Sequence, residues 1–106
     1  MPSWLPRTLS HIHALAVRRE VRFTLKALRE LAALGLGLDP IDACDVLARL
    51  NREDSAGRLR SELTGEWLYV FKPRVASTAL YVKLILRGGC LIVSFHEDEG
   101  ENDAYA

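Results

Sequence analysis

The chain has 106 residues of 49% hydrophobic composition, enough to bury one core and too few for a second domain of ordinary size. Its 14 basic and 14 acidic side chains cancel, so net charge neither demands nor excludes a polyanionic partner, and no stretch approaches the roughly 18 uninterrupted apolar residues of a membrane span. Cys44 and Cys90 lie too far apart for a zinc ribbon and the N-terminus lacks the apolar core of a secretory signal, so a cytoplasmic location, no cofactor and no structural metal are expected.

Placement of charge says more than its sum. Between Arg49 and Arg87 the basic residues Arg49, Arg52, Arg58, Arg60, Lys72, Arg74, Lys83 and Arg87 outnumber Glu53, Asp54, Glu62 and Glu66. From Glu97 onward the only charged residues are acids. A body with a positive excess fits a polyanionic ligand such as RNA and equally an ordinary surface balance. Residues 1–96 are expected to form one domain and residues 97–106 a flexible acidic tail.

After a lead-in containing Pro2 and Pro6, Thr8 can cap a first helix with Ile12, Leu15 and Ala16 on one face, ending near Arg19. Glu20 to Phe23 reads as a short extended link. A second helical pattern starts at about Thr24, carries Leu25, Leu28, Leu31 and Ala32 on its apolar side, and stops at Gly35-Leu36-Gly37. Asp39 and Pro40 supply an N-cap and a first-turn residue for a third helix with Ile41, Cys44, Leu47 and Ala48 inward. The polar stretch Asn51 to Ser61 reads as a loop with a helical turn. Trp67 to Phe71 is an aromatic strand closed by Pro73. Ala79 to Leu86 and Cys90 to His96 form two more strands around Gly88-Gly89, because tight hairpins need positive backbone dihedrals. Helices followed by strands give an α+β class, with N-terminal helices packed on an antiparallel sheet.

If Gly88 and Gly89 are the loop, Arg87 faces Cys90, Leu86 faces Leu91, Leu84 faces Val93 and Val82 faces Phe95. The apolar pairs form the core face. The other face then carries Lys83 opposite Ser94 and Tyr81 opposite His96, with Ile85 and Ile92 toward the turn. A slip of one residue would bury Lys83 and His96 together, which argues for this register.

Cleaving RNA without a metal requires a base for the 2′-hydroxyl proton, an acid for the 5′-oxygen and positive charge for the phosphorane. Histidine as a residue type titrates at roughly pH 6.5, so His96 suits either proton-transfer role. Tyr81 can donate a hydrogen bond or a proton, while Lys72, Arg74, Lys83 and Arg58 can hold phosphate oxygens. The same side chains also suit an ordinary solvated sheet face. His11 and His13 read most simply as surface residues without a zinc-ligand cluster. Cys44 reads as core filler, and Cys90 as a thiol near a turn, where exposure is possible, with no charged partner to activate it.

Several stretches together resemble the MqsR family of type II toxins: Thr8-Leu9-Ser10, Val21-Arg22, parts of residues 34–39, Trp67, Phe71-Lys72-Pro73-Arg74, Tyr81-Val82-Lys83 and Leu91-Ile92-Val93-Ser94-Phe95. The resemblance implies a RelE-like ribonuclease toxin fold and ribosome-independent mRNA cleavage. It also implies a cognate antitoxin that has a zinc-binding, toxin-facing domain and a DNA-binding domain. It assigns site roles to Tyr81 and Lys72, and a family lysine falls at Gly57 or Arg58, of which Arg58 is the chemically sensible match. The family's Gln after the Trp is here Leu68, and a Lys after the Ser-Phe pair is here His96, which moves that position from electrostatic clamp toward proton transfer.

The expected site therefore has Tyr81, His96, Lys72 and Arg58 as catalytic residues, Arg74, Lys83 and Ser94 as RNA phosphate contacts, and no metal. The missing amide at Leu68 leaves open a degenerate module that only binds antitoxin or RNA, and the fold class leaves open a ribosome-dependent ribonuclease. Trp67 to Phe71, or the sheet edge beside it, is expected to accept an antitoxin strand by edge addition.

Overall fold

Helical periodicity is concentrated in the first half of the chain and strand alternation in the second, and the computed structural model, which describes residues 2–99, follows that division. The elements are α1 (Leu5–Val17), β1 (Val21–Phe23), α2 (Leu25–Ala33), α3 (Pro40–Ala48), β2 (Ser55–Arg60), β3 (Trp67–Phe71), β4 (Arg74–Val75), β5 (Thr78–Leu86) and β6 (Cys90–Glu97). The strands run in the order β1-β6-β5-β3-β2, with β4 paired to β5 off this path. None of the helices is long and apolar enough to cross a membrane among the described residues.

The sheet is mixed rather than antiparallel. Residues 20–23, expected as a link, form a strand that runs parallel to β6, with Val21 beside Cys90 and Phe23 beside Ile92. The polar stretch is loop and 3-10 turn only as far as Asp54; Ser55–Arg60 pairs antiparallel with β3 and forms the far edge. Its alternating positions hold Arg58 and Arg60 where an apolar pattern would hold aliphatics. Both guanidinium groups stack on Trp67, so cation–π contacts take the place of the missing hydrophobic signal.

Helix α1 starts at Leu5 with a proline in its first turn, and Thr8 is buried within the helix instead of capping it. Thr24 does cap α2, accepting from the Ala27 N–H at 3.1 Å. The buried stripe of α2 is Ala27 and Leu31, whereas Leu25 and Leu28 are 62% and 39% exposed. The reason is that α2 runs beside β6 as a substitute strand. The Thr24 N–H donates to the Ile92 carbonyl at 3.0 Å, the Phe95 N–H donates to Glu30 at 2.9 Å, and Lys26 Nζ donates to the Val93 carbonyl at 3.3 Å. A helix set against a strand edge buries a narrower face than one laid across a sheet. In α3, Asp39 and Asp42 cap each other reciprocally at 2.8 and 2.9 Å. Ala43, Cys44 and Leu47 turn inward and Ile41 is 50% exposed.

Tyr81 pairs with His96, Val82 with Phe95 and Lys83 with Ser94, as the alternation requires. Nearer the turn the register differs. A bulge follows Lys83, so Leu84 pairs with Ile92 and Leu86 with Cys90, leaving Arg87-Gly88-Gly89 as a three-residue loop. The extra residue returns Ile92, not Val93, to the core, and Cys90 is buried rather than exposed. Gly89 has φ +121° and lies where a Cβ would come within 3.2 Å of the Glu20 carbonyl, so only glycine fits.

The core lies on one side of the sheet. Leu5, Leu9, Ile12 and Leu15 of α1 join Leu47 of α3 with Phe71, Leu80, Val82, Leu84, Ile92 and Phe95. Burying each such large side chain contributes about 1.5–3 kcal/mol. The opposite face carries the polar Tyr81, Lys83, Ser94 and His96 together with apolar side chains such as the buried Val70. Of the expected acidic tail, Glu97 ends β6 and the Asp98 N–H donates to the Ala79 carbonyl at 2.8 Å; residues 100–106 lie outside the described residues.

Candidate active site

Tyr81 and Lys83 alternate with the buried Leu80, Val82 and Leu84, so the pleat turns them away from the helices. Directly paired residues share a face, which places Ser94 and His96 with them. The rings of Tyr81 and His96 stack with centroids 5.1 Å apart and planes inclined by 11°. His96 Nδ1 is 2.8 Å from the Glu97 carbonyl, which can only accept, so this nitrogen carries the proton and Nε2 is the basic position of the neutral ring.

Lys72 follows the buried Phe71 and turns to the same face. Its Nζ lies 6.0 Å from the Tyr81 ring centroid and 3.5 Å from Asp98 Oδ1. Its backbone is fixed by a 2.7 Å hydrogen bond from the Lys72 N–H to the Asp54 carbonyl. Together these side chains line a shallow cavity of about 450 Å³ with Lys26, Asp98 and Glu99 on its rim. Three lysines thus surround a stacked tyrosine and histidine.

Lys26 carries no motif signal and enters from α2. Its Nζ donates to Ser94 Oγ at 3.2 Å and pairs with Glu30, one helical turn on, at 2.8 Å. Burial raises the affinity of Glu30 for a proton, but the hydrogen bonds from Lys26 and the Phe95 amide and the charges of Lys26 and His96 outweigh it, and the carboxyl titrates below its usual range. The (i, i+4) spacing of Lys26 and Glu30 is the one sequence signal that could have marked the pair.

Five of the seven expected site residues, Tyr81, His96, Lys72, Lys83 and Ser94, therefore converge. Arg58 does not join them. It pairs with Tyr69, which pairs with the core residue Leu84, so Arg58 lies on the helix side of the sheet. There its guanidinium sits 3.7 Å from the Trp67 centroid and 4.7 Å from that of Trp4. Arg74 is also apart: it donates to the Ser77 carbonyl at 2.8 Å and lines a separate cavity of about 660 Å³ with Asp42, Asp45 and Arg49. That larger hollow holds no stacked acid–base pair.

Leu68 alternates with Trp67 and Tyr69, so it shares the face of Val70, which pairs with Lys83. Burial pushes the Cys90 thiol up to about 12, with a further rise from Cys44, which leaves no thiolate for nucleophilic chemistry. Among the described residues no three His, Cys, Asp or Glu side chains are grouped to hold a metal ion.

No curated protein matches the sequence. The MqsR_toxin family, described as "Motility quorum-sensing regulator, toxin of MqsA", matches residues 6–97, from the first turn of α1 to the last residue of β6. That match takes in every element and the whole Tyr81–His96 cavity except its acidic rim, and on it the chain belongs to the MqsR toxin family, the toxins of toxin–antitoxin pairs.

Proposed function

We propose that this toxin is an endoribonuclease that cuts mRNA without the ribosome and without a metal, and so blocks translation. The observation that carries the reading is the stacked Tyr81–His96 pair ringed by Lys72, Lys83 and Lys26. His96 Nε2 takes the proton of a ribose 2′-hydroxyl. The 2′-oxygen bonds to phosphorus, and the bond from phosphorus to the 5′-oxygen breaks as Tyr81 passes its proton to that leaving oxygen. Lys72 and Lys83 meet the charge on the phosphorane. The products are a cyclic phosphate and a 5′-hydroxyl end, and His96 returns its proton through solvent to Tyr81.

Arg58 and Arg74 stand outside the cavity and have no part in this scheme. Leu68, on the site's face where the family carries an amide, weakens recognition of a base more than it affects proton transfer. We read the fold as RelE-like. The antitoxin, read as carrying zinc-binding and DNA-binding domains, adds a strand to β2, since β3 is flanked on both sides by β2 and β5.

The test is incubation of purified protein with naked mRNA in EDTA, comparing wild type with Tyr81→Phe and His96→Ala. Specific cuts are expected for wild type. Each substitution lowers the rate by about 10²-fold or more, the usual scale of general acid–base catalysis. Cuts that appear only when ribosomes are added favour the ribosome-dependent reading; growth arrest without any cleavage favours a binding module.

A further inference from the structure

Lys26 belongs to α2, an element outside the family signature around Tyr81 and the Ser-Phe pair, yet its ammonium lines the same cavity. An ion pair made only to support a helix needs nothing beyond Glu30. Lys26 instead reaches past Glu30 to Ser94 Oγ and the Val93 carbonyl, on the strand that carries His96. Even with these three contacts its side chain is 63% exposed, and it is among the residues that line the cavity. Glu30, which holds it, also accepts the N–H of Phe95, the neighbour of His96. Lys26 is thus fixed in position relative to the acid–base pair and still open to a ligand.

The elements that meet at the cavity follow the sheet order. Lys72 stands at the end of β3, Tyr81 and Lys83 on β5, Ser94 and His96 on β6, and Lys26 beyond β6 on α2. Lys83 pairs with Ser94, and Lys26 reaches that same Ser94 from beyond β6, so β6 lies between the two lysines. Neighbouring strands are about 4.8 Å apart, so their backbones stand about two strand spacings apart, a separation that suits successive phosphates of a strand better than a single anion. Of the contacts Lys26 makes, the 3.3 Å bond to the neutral Val93 carbonyl is the longest. An anionic phosphate oxygen is the stronger acceptor and displaces it.

Resting on the ribonuclease reading, we infer that Lys26 is a further RNA-binding residue, which engages the phosphate beside the scissile one, and that the substrate strand crosses the sheet from β3 toward α2. The scissile phosphate lies between Lys72 and Lys83, over Tyr81 and His96. Specificity for a strand longer than a dinucleotide follows, because the Lys26 contact exists only when a flanking phosphate is present.

The experiment measures binding of a short 2′-fluoro oligonucleotide, which cannot be cleaved through a 2′-hydroxyl, by wild type, Lys26→Gln, Lys26→Ala and Lys26→Arg over a range of salt. Lys26→Gln retains a hydrogen-bond donor to Ser94 without the charge, so it separates support of β6 from phosphate binding, and thermal unfolding checks that each variant is folded. Lys26→Gln and Lys26→Ala are expected to weaken binding by roughly five- to tenfold at low salt and to reduce the slope of log affinity against log salt by about 0.7, the value for one phosphate contact to a single strand. Lys26→Arg is expected to stay within about twofold of wild type, since it keeps the charge. Equal affinity and equal slope for wild type and Lys26→Gln would overturn the inference while leaving the ribonuclease reading intact. No binding by folded wild type would overturn both.

Discussion

The direction of the hydrogen bond at His96 decides what its ring can do. With Nδ1–H given to the Glu97 carbonyl, Nε2 is left with its lone pair free, as the proposed base role requires, and the Tyr81 ring stacked on it limits how the imidazole can turn. Glu30 sets the strand on which this ring is carried. Its side chain is 22% exposed and accepts the Phe95 N–H and the Lys26 ammonium. Glu30→Ala leaves a part-buried N–H without its acceptor and is expected to cost about 1–3 kcal/mol in chemical denaturation. Glu30→Gln keeps an acceptor and is expected to lose less.

Because the folded-state pKa of Glu30 is lowered, its contribution is present above the unfolded value of about 4.3 and is lost as pH falls through the lower folded value. The stability difference between wild type and Glu30→Gln should therefore shrink on acidification below about pH 4. A difference that stays constant to low pH would show that the charge of Glu30 is not what stabilises it.

Asp98 pairs with Lys72 at 3.5 Å, and in the proposed scheme it competes there with a phosphate oxygen. An ion pair of this partly exposed kind is worth at most about 1 kcal/mol, so Asp98→Asn should tighten RNA binding by no more than about fivefold. Weaker binding in that variant would mean that Asp98 orients Lys72 instead of competing for it.

The elements differ in how far their pairing shows in the sequence. The outer half of the β5–β6 hairpin could be read from alternation alone, because burying Lys83 and His96 was the costly alternative. The inner half could not. A bulge after Lys83 leaves no trace in an apolar run such as Leu91-Ile92-Val93, where every residue is a plausible core residue. β1 was hidden because a three-residue parallel strand is too short to show a period. β2 was hidden because arginine–tryptophan stacking stands in for apolar burial. Chemistry and resemblance point to Arg58 as a site residue, and only the placement of β2 shows that it lies on the helix side of the sheet, apart from the Tyr81–His96 cavity.

The order of strands yields its own prediction. Amides of Trp67–Phe71, interior between β2 and β5, should be protected from hydrogen exchange in the free protein, while the outward amides of Ser55–Arg60 should gain protection only when antitoxin binds. Protection of β2 that is unchanged by antitoxin would place the partner elsewhere.

Across the whole molecule, the helices cover one face of the sheet and one edge of β6, and on the other face Lys72, Lys83, Tyr81, Ser94 and His96 meet Lys26, which reaches in from α2. This division gathers three lysines at one cavity in a chain of zero net charge, with Asp98 and Glu99 on its rim. The compensating acids are placed mainly at helix caps, in ion pairs such as Glu66 with Arg87, and after β6. Fold class was legible because helical periodicity in the first half gives way to strand alternation in the second, and the Tyr81–His96 pairing because it follows period-two alternation. The reach of Lys26 into the cavity was not, since it depends on a helix lying beside a strand.

Analysis of the ends of fragments made from naked mRNA in EDTA tests acid–base cleavage by Tyr81 and His96 most directly. Fragments bearing 5′-hydroxyl and 2′,3′-cyclic phosphate ends, made by wild type and lost in His96→Ala and Tyr81→Phe, are the predicted result. Fragments with 5′-phosphate ends, or cleavage unchanged in both variants, would contradict it.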